Sequence, residues 1–258
     1  MLSDLNNRRH LAQTSPDMKD FGYKDVAPED KTRLVGKVFT SVASKYDLMN
    51  DLMSMGVHRL WKRQFVAGCS FRDGQRLLDL AGGTGDIARL ARRAGAEVTV
   101  ADINHAMLSV GRSRMDDAGL VDGFDWLQVN AEALPFTDRQ FDHVTIAFGL
   151  RNVTWREQAL AEMHRVLKPG GRVHILEFSK VGLPALAKFY DGWSFQVMPR
   201  LGGRIAGDEE SYRYLAESIR RFPDQQTLAQ LLTDAGFERV NYQNLSAGIC
   251  AIHRGARV

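Results

Sequence analysis

Residues 77–86, Leu-Leu-Asp-Leu-Ala-Gly-Gly-Thr-Gly-Asp, constrain this chain more than any other stretch. A short apolar strand runs into a turn in which Gly82, Gly83 and Gly85 fill three of four positions. Such a backbone can bend sharply and bring its amides close to a ligand that a Cβ would hold off. The next residues, Ile87-Ala-Arg-Leu-Ala-Arg-Arg, have helical spacing. Strand, glycine turn and helix in that order form the first unit of a doubly wound α/β sheet. A second strand, Ala96-Glu-Val-Thr-Val-Ala, ends at Asp102, close to the roughly 20-residue offset at which these folds set a carboxylate against ribose hydroxyls.

The same residues narrow the ligand. A Walker loop would close with Gly-Lys-Ser or Gly-Lys-Thr, and no lysine lies between Lys62 and Lys168. The Gly-x-Gly-x-x-Gly spacing of dinucleotide-binding loops is also missing. Acids flank the turn, Asp79 before it and Asp86 after it, which disfavours a pyrophosphate and suits a cationic ligand. The loop resembles the Asp-x-Gly-x-Gly-Thr-Gly element of class I S-adenosylmethionine-dependent methyltransferases, whose ligand carries a sulfonium and an ammonium. Ala81 departs from that pattern at its first glycine and restricts the turn.

Composition bounds the rest. At 258 residues and 44% hydrophobic content the chain can bury a real core. A net charge of +3, from 34 basic and 31 acidic residues, gives no field that argues for nucleic acid. Two cysteines, Cys69 and Cys250, form no Cys-x-x-Cys and have no histidines at metal-ligand spacing, so no metal is expected and the compartment reads as reducing. There is neither a secretion-type apolar leader nor a run of about 20 apolar residues, and a cytoplasmic location is expected. Residues 1–30 are polar and read as a flexible tail, with the methyltransferase domain over 31–258. Within that domain, residues 31–70 carry a helical pattern that is too short and interrupted for a core of its own, and read as a cap.

Inside the cap, Tyr46-Asp-Leu-Met-Asn, Ser54, His58 and Trp61 resemble the first signature of the ubiquinone and menaquinone biosynthesis C-methyltransferases. Arg165-Val-Leu-Lys-Pro-Gly-Gly-Arg-Val-His-Ile-Leu-Glu-Phe-Ser179 resembles their second. With Phe148-Gly-Leu-Arg-Asn152 and Ser211-Tyr-Arg-Tyr-Leu-Ala-Glu-Ser-Ile-Arg220, the likeness runs from about residue 20 to the C-terminus. It implies a Rossmann-like, seven-stranded, mostly parallel sheet and S-adenosylmethionine as cofactor. It further implies methyl transfer to a ring carbon of a polyprenylated quinol, a methoxybenzoquinol or demethylmenaquinol. Transient contact with the inner face of the cytoplasmic membrane follows from such a substrate, nucleic acid is not expected as a partner, and a homo-oligomer or association with other quinone-biosynthesis enzymes stays open. The cofactor residues it implies are Asp79, Gly83, Thr84, Gly85, Asp102, Asn130, Ala131 and Ala147, with Thr84 at the amino-acid end, Asp102 at the ribose and Asn130 at the adenine.

Further along, Asn104 reads as an N-cap for a helix that turns Met107 and Leu108 inward. The third strand, Phe124–Val129, leads into Asn130-Ala-Glu, where Glu132 reads equally as a site acid or a solvated loop acid. The fourth strand, Phe141–Phe148, is apolar enough to be covered on both faces and delivers Arg151 and Asn152 to the strand ends where ligands of open α/β sheets sit. A helix over Trp155–Lys168 is stopped by Pro169-Gly-Gly, and Val173–Phe178 is the fifth strand, with His174 a core or edge histidine. Residues 180–224 form an insertion rich in aromatics, among them Phe189, Tyr190, Trp193, Tyr212 and Tyr214, expected with the cap to enclose the substrate. A helix over Gln225–Ala235 and strands over Phe237–Leu245 and Ala247–His253 complete the sheet.

With no nucleophilic triad or metal cluster in view, activation of a ring carbon is expected to come from stabilising a developing quinolate. Arg151 is the expected cation for that oxyanion, with alanine there sparing the fold; Asn152 orients the same hydroxyl, Tyr46 shapes the methyl channel, and His58 is a reserve base. Other readings are methylation of RNA or of a small hydroxylated metabolite, a noncatalytic nucleotide-binding regulator, and a nicotinamide oxidoreductase. Against RNA, strand four ends in neither Asn/Asp-Pro-Pro-Tyr nor Pro-Cys.

Overall fold

The computed structural model describes residues 17–54, 56–206 and 208–258; the first sixteen residues of the expected tail lie outside them. In chain order the elements are β1 Lys19–Phe21, β2 Lys24–Val26, α1 Pro28–Val42, α2 Tyr46–Ser54, α3 His58–Cys69, β3 Arg76–Leu80, α4 Asp86–Arg93, β4 Glu97–Asp102, α5 His105–Asp117, β5 Phe124–Gln128 and β6 Phe141–Ala147. Then follow α6 Arg156–Val166, β7 Leu167–Phe178, α7 Pro184–Gly192, α8 Met198–Ala206, α9 Glu209–Arg221, α10 Gln225–Asp234, β8 Glu238–Leu245 and β9 Cys250–Ala256.

The large sheet has seven strands in the order β5-β4-β3-β6-β7-β9-β8, parallel except for β9, which runs antiparallel to both neighbours. This is the seven-stranded, mostly parallel sheet expected from the sequence. The order reverses between β3 and β6, which pair directly, so a crevice opens beyond their carboxyl ends. Burial on both faces accounts for the apolar runs of the central strands: Leu77, Leu78, Leu80, Val144, Ile146, Val173 and Ile175 are all at most 1% exposed. One face of α6, formed by Ala159, Leu160, Met163 and Val166, packs into the same core, each large side chain contributing on the order of 1.5–3 kcal/mol.

The helix expected over Trp155–Lys168 ends earlier than its periodicity suggests, at Val166 rather than Lys168. Leu167 already pairs with Phe141, and the register then jumps to Arg172 opposite His143. Pro169-Gly-Gly therefore sits in a bulge of β7 rather than at a helix end. His174 is a core histidine as expected: its Nε2 lies 3.2 Å from His143 Nδ1, and burial holds the two rings down to about 3 and about 4, which keeps both neutral.

Order begins well before residue 30. The hairpin β1–β2 docks on α9, where Phe21 stacks on Tyr214 at 4.3 Å and the Tyr23 amide donates to Glu217. Asp20 in this hairpin accepts from Lys31 of α1 at 3.1 Å and from Arg156 of α6 at 3.0 Å. Lys31 belongs to the buried stripe Lys31, Val35, Val38, Val42, spacing that turns one helix face inward. The hairpin thus anchors the helix that covers the crevice.

At the strand ends two loops approach closely. Ala81, after β3, has a left-handed φ of 49°, and a Cβ placed on Gly149, after β6, would lie 2.4 Å from the Ala81 methyl. Gly149→Ala is expected to destabilise the protein by about 1–3 kcal/mol through overpacking. Ala81→Gly, which removes the opposing methyl and relaxes the left-handed residue, should recover most of that loss in the double variant. Urea denaturation of the four proteins checks this, and simple additivity would refute the contact.

Candidate active site

The crevice holds a cavity of about 810 Å³, including its open mouth, floored by Leu80, Ala81, Asp102, Asn130, Ala131 and Asn152 and roofed by Val35, Gly36, Phe39 and Tyr46. A smaller cavity adjoins it, bounded by Tyr46, Lys62, Asp79, Ala81, Gly82, Thr84, Asp86 and Ala147. Tyr46 and Ala81 belong to both walls. The roof is α1 and α2, and α1 is bolted down at two points. Asn104 Nδ2 donates to the Gly36 carbonyl at 3.0 Å and to Thr40 Oγ1 at 2.9 Å, and Thr32 and Thr154 hydroxyls meet at 3.0 Å. Asn104 is also the expected N-cap, accepting from Met107 N, so one side chain both starts α5 and fastens the roof.

The glycine turn is shaped by the acids around it. Gly83 and Gly85 take φ of 50° and 79°, and the Gly83 amide donates to Asp102 Oδ2 at 3.0 Å; both glycines set the course of the loop and neither appears in the cavity walls. Asp102 also accepts from Asn104 N at 2.8 Å. Asp79 accepts from Thr145 Oγ1 at 2.7 Å through Oδ1, while its buried Oδ2 has no partner. A Cβ on Gly82 would come within 3.1 Å of that oxygen, so the glycine keeps the approach to it clear. An unpartnered buried carboxylate oxygen is costly without a ligand, and a cationic group of a bound ligand would satisfy it. Ala131 and Ala147 lie in the walls where small side chains leave room.

Burial pushes the Asp79 carboxyl up to about 7, against the Thr145 bond, which pulls it down. Burial likewise pushes Asp102 up to about 6, against its backbone donors. Both titrate near 3.9 in an unfolded chain, so between about pH 4 and pH 7 the folded state holds the extra protons. This contribution to stability is full at low pH and is lost as pH rises through about 6 to 7. A cationic ligand reverses the balance by favouring the carboxylates.

Arg151 is not a free cation at the cavity. Its side chain and that of Glu177 on β7 are each 1% exposed and paired at 2.8 Å. The same Nη1 donates to the Phe148 carbonyl at 2.6 Å, and Arg151 is absent from the walls of both cavities. The expectation that alanine there would spare the fold is overturned, because it would strand Glu177 as a buried, unpaired charge. Asn152, the next residue, does reach the cavity. Its Oδ1 accepts from Tyr214 OH at 2.9 Å, and its buried Nδ2 has no partner.

His58 is buried, with Nε2 3.0 Å from Asp51 Oδ1, and burial lowers its pKa; it borders neither cavity. Glu132 proves to be a brace, accepting the Thr154 and Trp155 amides at 2.9 and 3.0 Å, while Asn130 Oδ1 accepts the Glu132 amide. The insertion does not line the cavities among the described residues, and the Phe189 side chain lies outside them. Its aromatics support the roof instead: Tyr190 OH donates to the Met53 carbonyl and Trp193 Nε1 to the Leu52 carbonyl. Sequence reasoning passed over Lys62, whose Nζ lies 2.6 Å from Asp86 Oδ2. The signal was there, since Lys62 falls on the buried stripe of α3 formed by His58, Trp61, Phe65, Val66 and Cys69.

A doubly wound sheet with an acid-flanked glycine loop, a ribose-type acid and a roofed cavity defines a class I S-adenosylmethionine-dependent methyltransferase. A methyltransferase of Thermotoga maritima, described as a possible histamine N-methyltransferase, has the same fold at a TM-score of 0.63 and 20% identity, covering 87% of this chain and all of that one. Residues 25–257 match the ubiE/COQ5 methyltransferase family, and the chain belongs to it. It is 57% identical over 249 residues to the ubiquinone/menaquinone biosynthesis C-methyltransferase UbiE of Erwinia tasmaniensis, covering 95% of this chain and 99% of the relative. With UbiE of Yersinia enterocolitica it is 59% identical over 239 residues, 91% of this chain and 95% of the relative.

Two measurements follow from the site. Cofactor affinity, read by calorimetry from pH 5 to 8, is expected to rise with pH through 6 to 7, by up to about tenfold per unit for each carboxyl that must ionise; a flat profile would show that neither acid meets the ligand. Arg151→Ala should cost about 3–5 kcal/mol of stability, and Arg151→Met with Glu177→Leu should regain most of it. Chemical denaturation separates this from a free arginine, for which the single variant would be nearly neutral.

Proposed function

We propose that this chain methylates a ring carbon of a polyprenylated quinol, using S-adenosylmethionine, in ubiquinone or menaquinone biosynthesis. The observation that carries the reading is the unpartnered Asn152 Nδ2 in a cavity that Phe39, Phe148 and Val153 also line. Apolar side chains accept a ring, and the unpartnered amide donor meets its oxygen. The relatives' names, C-methyltransferases of ubiquinone and menaquinone biosynthesis, agree with such a site. An RNA backbone does not, since Asp79, Asp86, Asp102 and Glu132 all border the cavities and would repel phosphates.

S-adenosylmethionine supplies the methyl group on a positively charged sulfur when bound. Asp102 would hold the ribose hydroxyls, Asn130 and Ala131 the adenine, and Asp79 and Thr84 the amino-acid arm. The roof keeps water out and holds the acceptor in line, which is the larger part of the catalysis for a displacement. Asn152 donates to the oxygen of the acceptor as it takes on charge, held in orientation by Tyr214, while Arg151 fixes the turn that presents it. Tyr46, common to both cavities, shapes the passage between them. Among the described residues no helix is long and apolar enough to cross a membrane. A prenylated acceptor leaves a bilayer at an apolar surface, and exposed Leu183 and Val197 of the insertion are available for reversible contact there.

Asn152→Ala is expected to lower turnover by about a hundredfold to a thousandfold while leaving cofactor affinity within about threefold. Turnover on the reduced quinol should far exceed that on the quinone, and vesicles should speed the reaction of a prenylated acceptor but not of a tailless one. Near-normal turnover by Asn152→Ala, or equal rates on both redox forms, would sink the assignment. Side-by-side assays with benzoquinol and naphthoquinol acceptors identify the ring.

A further inference from the structure

The charges around the two cavities are unequal. Asp79, Asp86, Asp102 and Glu132 border them, and among the described lining residues Lys62 is the one basic side chain. The inference rests on the reading of S-adenosylmethionine as the cofactor. That molecule carries two cationic groups, sulfonium and α-ammonium, which the acids accommodate, and one α-carboxylate, which they would repel. A carboxylate in a partly desolvated site needs a cation or several donors. Lys62 is 5% exposed, in the wall that also holds Asp79 and Thr84, the side of the site assigned to the amino-acid arm. Its Nζ lies 2.6 Å from Asp86 Oδ2 and 6.0 Å from the centre of the Tyr46 ring. An ammonium has three hydrogens to donate, and the bond to Asp86 uses one.

We propose that Lys62 binds the α-carboxylate of S-adenosylmethionine, with Asp86 as the positioning residue that aims the lysine into the smaller cavity. Burial would raise the Asp86 carboxyl, but the charge and hydrogen bond of Lys62 outweigh it and hold the carboxyl below the ordinary range, so Asp86 is a carboxylate. The ion pair thus brings a buried cation to the acidic site in neutralised form. A purely structural role, tying α3 to α4, would make no distinction between ligands with and without a carboxylate.

Decarboxylated S-adenosylmethionine lacks only that group, and calorimetry of both molecules on the full chain separates the two roles. Wild-type protein is expected to bind S-adenosylmethionine about tenfold to a hundredfold more tightly than the decarboxylated form, the range for hydrogen bonds to charged groups. Lys62→Met should abolish that ratio, binding both about as weakly as wild type binds the decarboxylated molecule, and Lys62→Arg should restore part of it. Lys62→Met with Asp86→Asn removes both charges, so no unpaired acid is left to disturb folding, and it should lose the ratio as well. Equal wild-type affinities, or a ratio that persists in the double variant, would overturn the role of Lys62. Failure of wild-type protein to bind either molecule would count instead against the cofactor reading.

Discussion

The buried pair of Arg151 and Glu177 holds the most demanding part of the backbone. Beyond β3 and β6, the two strands that flank the switch point, the chain turns through Ala81 and Phe148 in left-handed conformations, φ 49° and 56°. Such residues cost roughly 1–2 kcal/mol each when they are not glycine, and they persist where surroundings over-determine them. Arg151 does this for Phe148 by binding its carbonyl, and Glu177 fixes Arg151 from the neighbouring strand, also accepting the Phe178 amide at 2.9 Å. The turn that results carries Asn152 to the cavity. A desolvated ion pair is seldom a net source of stability, and here its effect is to fix one geometry.

The roof depends on a second set of polar contacts. Asp20 gathers Lys31 and Arg156, Asn104 gathers Gly36 and Thr40, and Thr32 meets Thr154. Each joins the cap to a different part of the sheet domain: the entry to α6, the loop after β4, and the loop after β6. An apolar stripe alone would hold α1 near the crevice without fixing its height. Directional bonds at both ends of the helix do fix it, and cavity width with it.

Much of this was legible in the sequence. The order strand, glycine turn, helix, strand, Asp102 marked one lip of the crevice, and strand four followed by Gly149 to Asn152 marked the other, because chain order dictates where parallel strands end. What the sequence hid were pairings between distant residues. Arg151 at a strand end reads as a free cation until Glu177, 26 positions later, is seen beside it. Lys31 and Lys62 offered a clue, since each interrupts an apolar helical stripe, and a lysine in such a stripe implies a buried acid nearby, here Asp20 and Asp86. The aromatics of the insertion were misplaced for a related reason. Composition shows that Tyr190, Tyr212 and Tyr214 must be covered, and they are, at 4% exposure or less, but it does not say whether a substrate or a helix covers them.

The pairing of Lys62 and of Arg151 with buried or half-buried acids has a common cause. S-adenosylmethionine would bring a positive sulfur to the acceptor, and two like unit charges about 6 Å apart at an effective dielectric of about 20 repel by about 3 kcal/mol. A free arginine next to that sulfur would therefore weaken cofactor binding by about as much as it helped a developing oxyanion. Pairing Arg151 with Glu177 and Lys62 with Asp86 removes the penalty, and on the proposed assignment it leaves the oxyanion to a neutral donor, the Asn152 amide. Such an amide would stabilise negative charge on the acceptor without opposing the positive charge that must approach it. The acids that border the two cavities and the neutral Asn152 amide would thus answer two requirements of one displacement, attraction of a cation and polarisation of a ring oxygen.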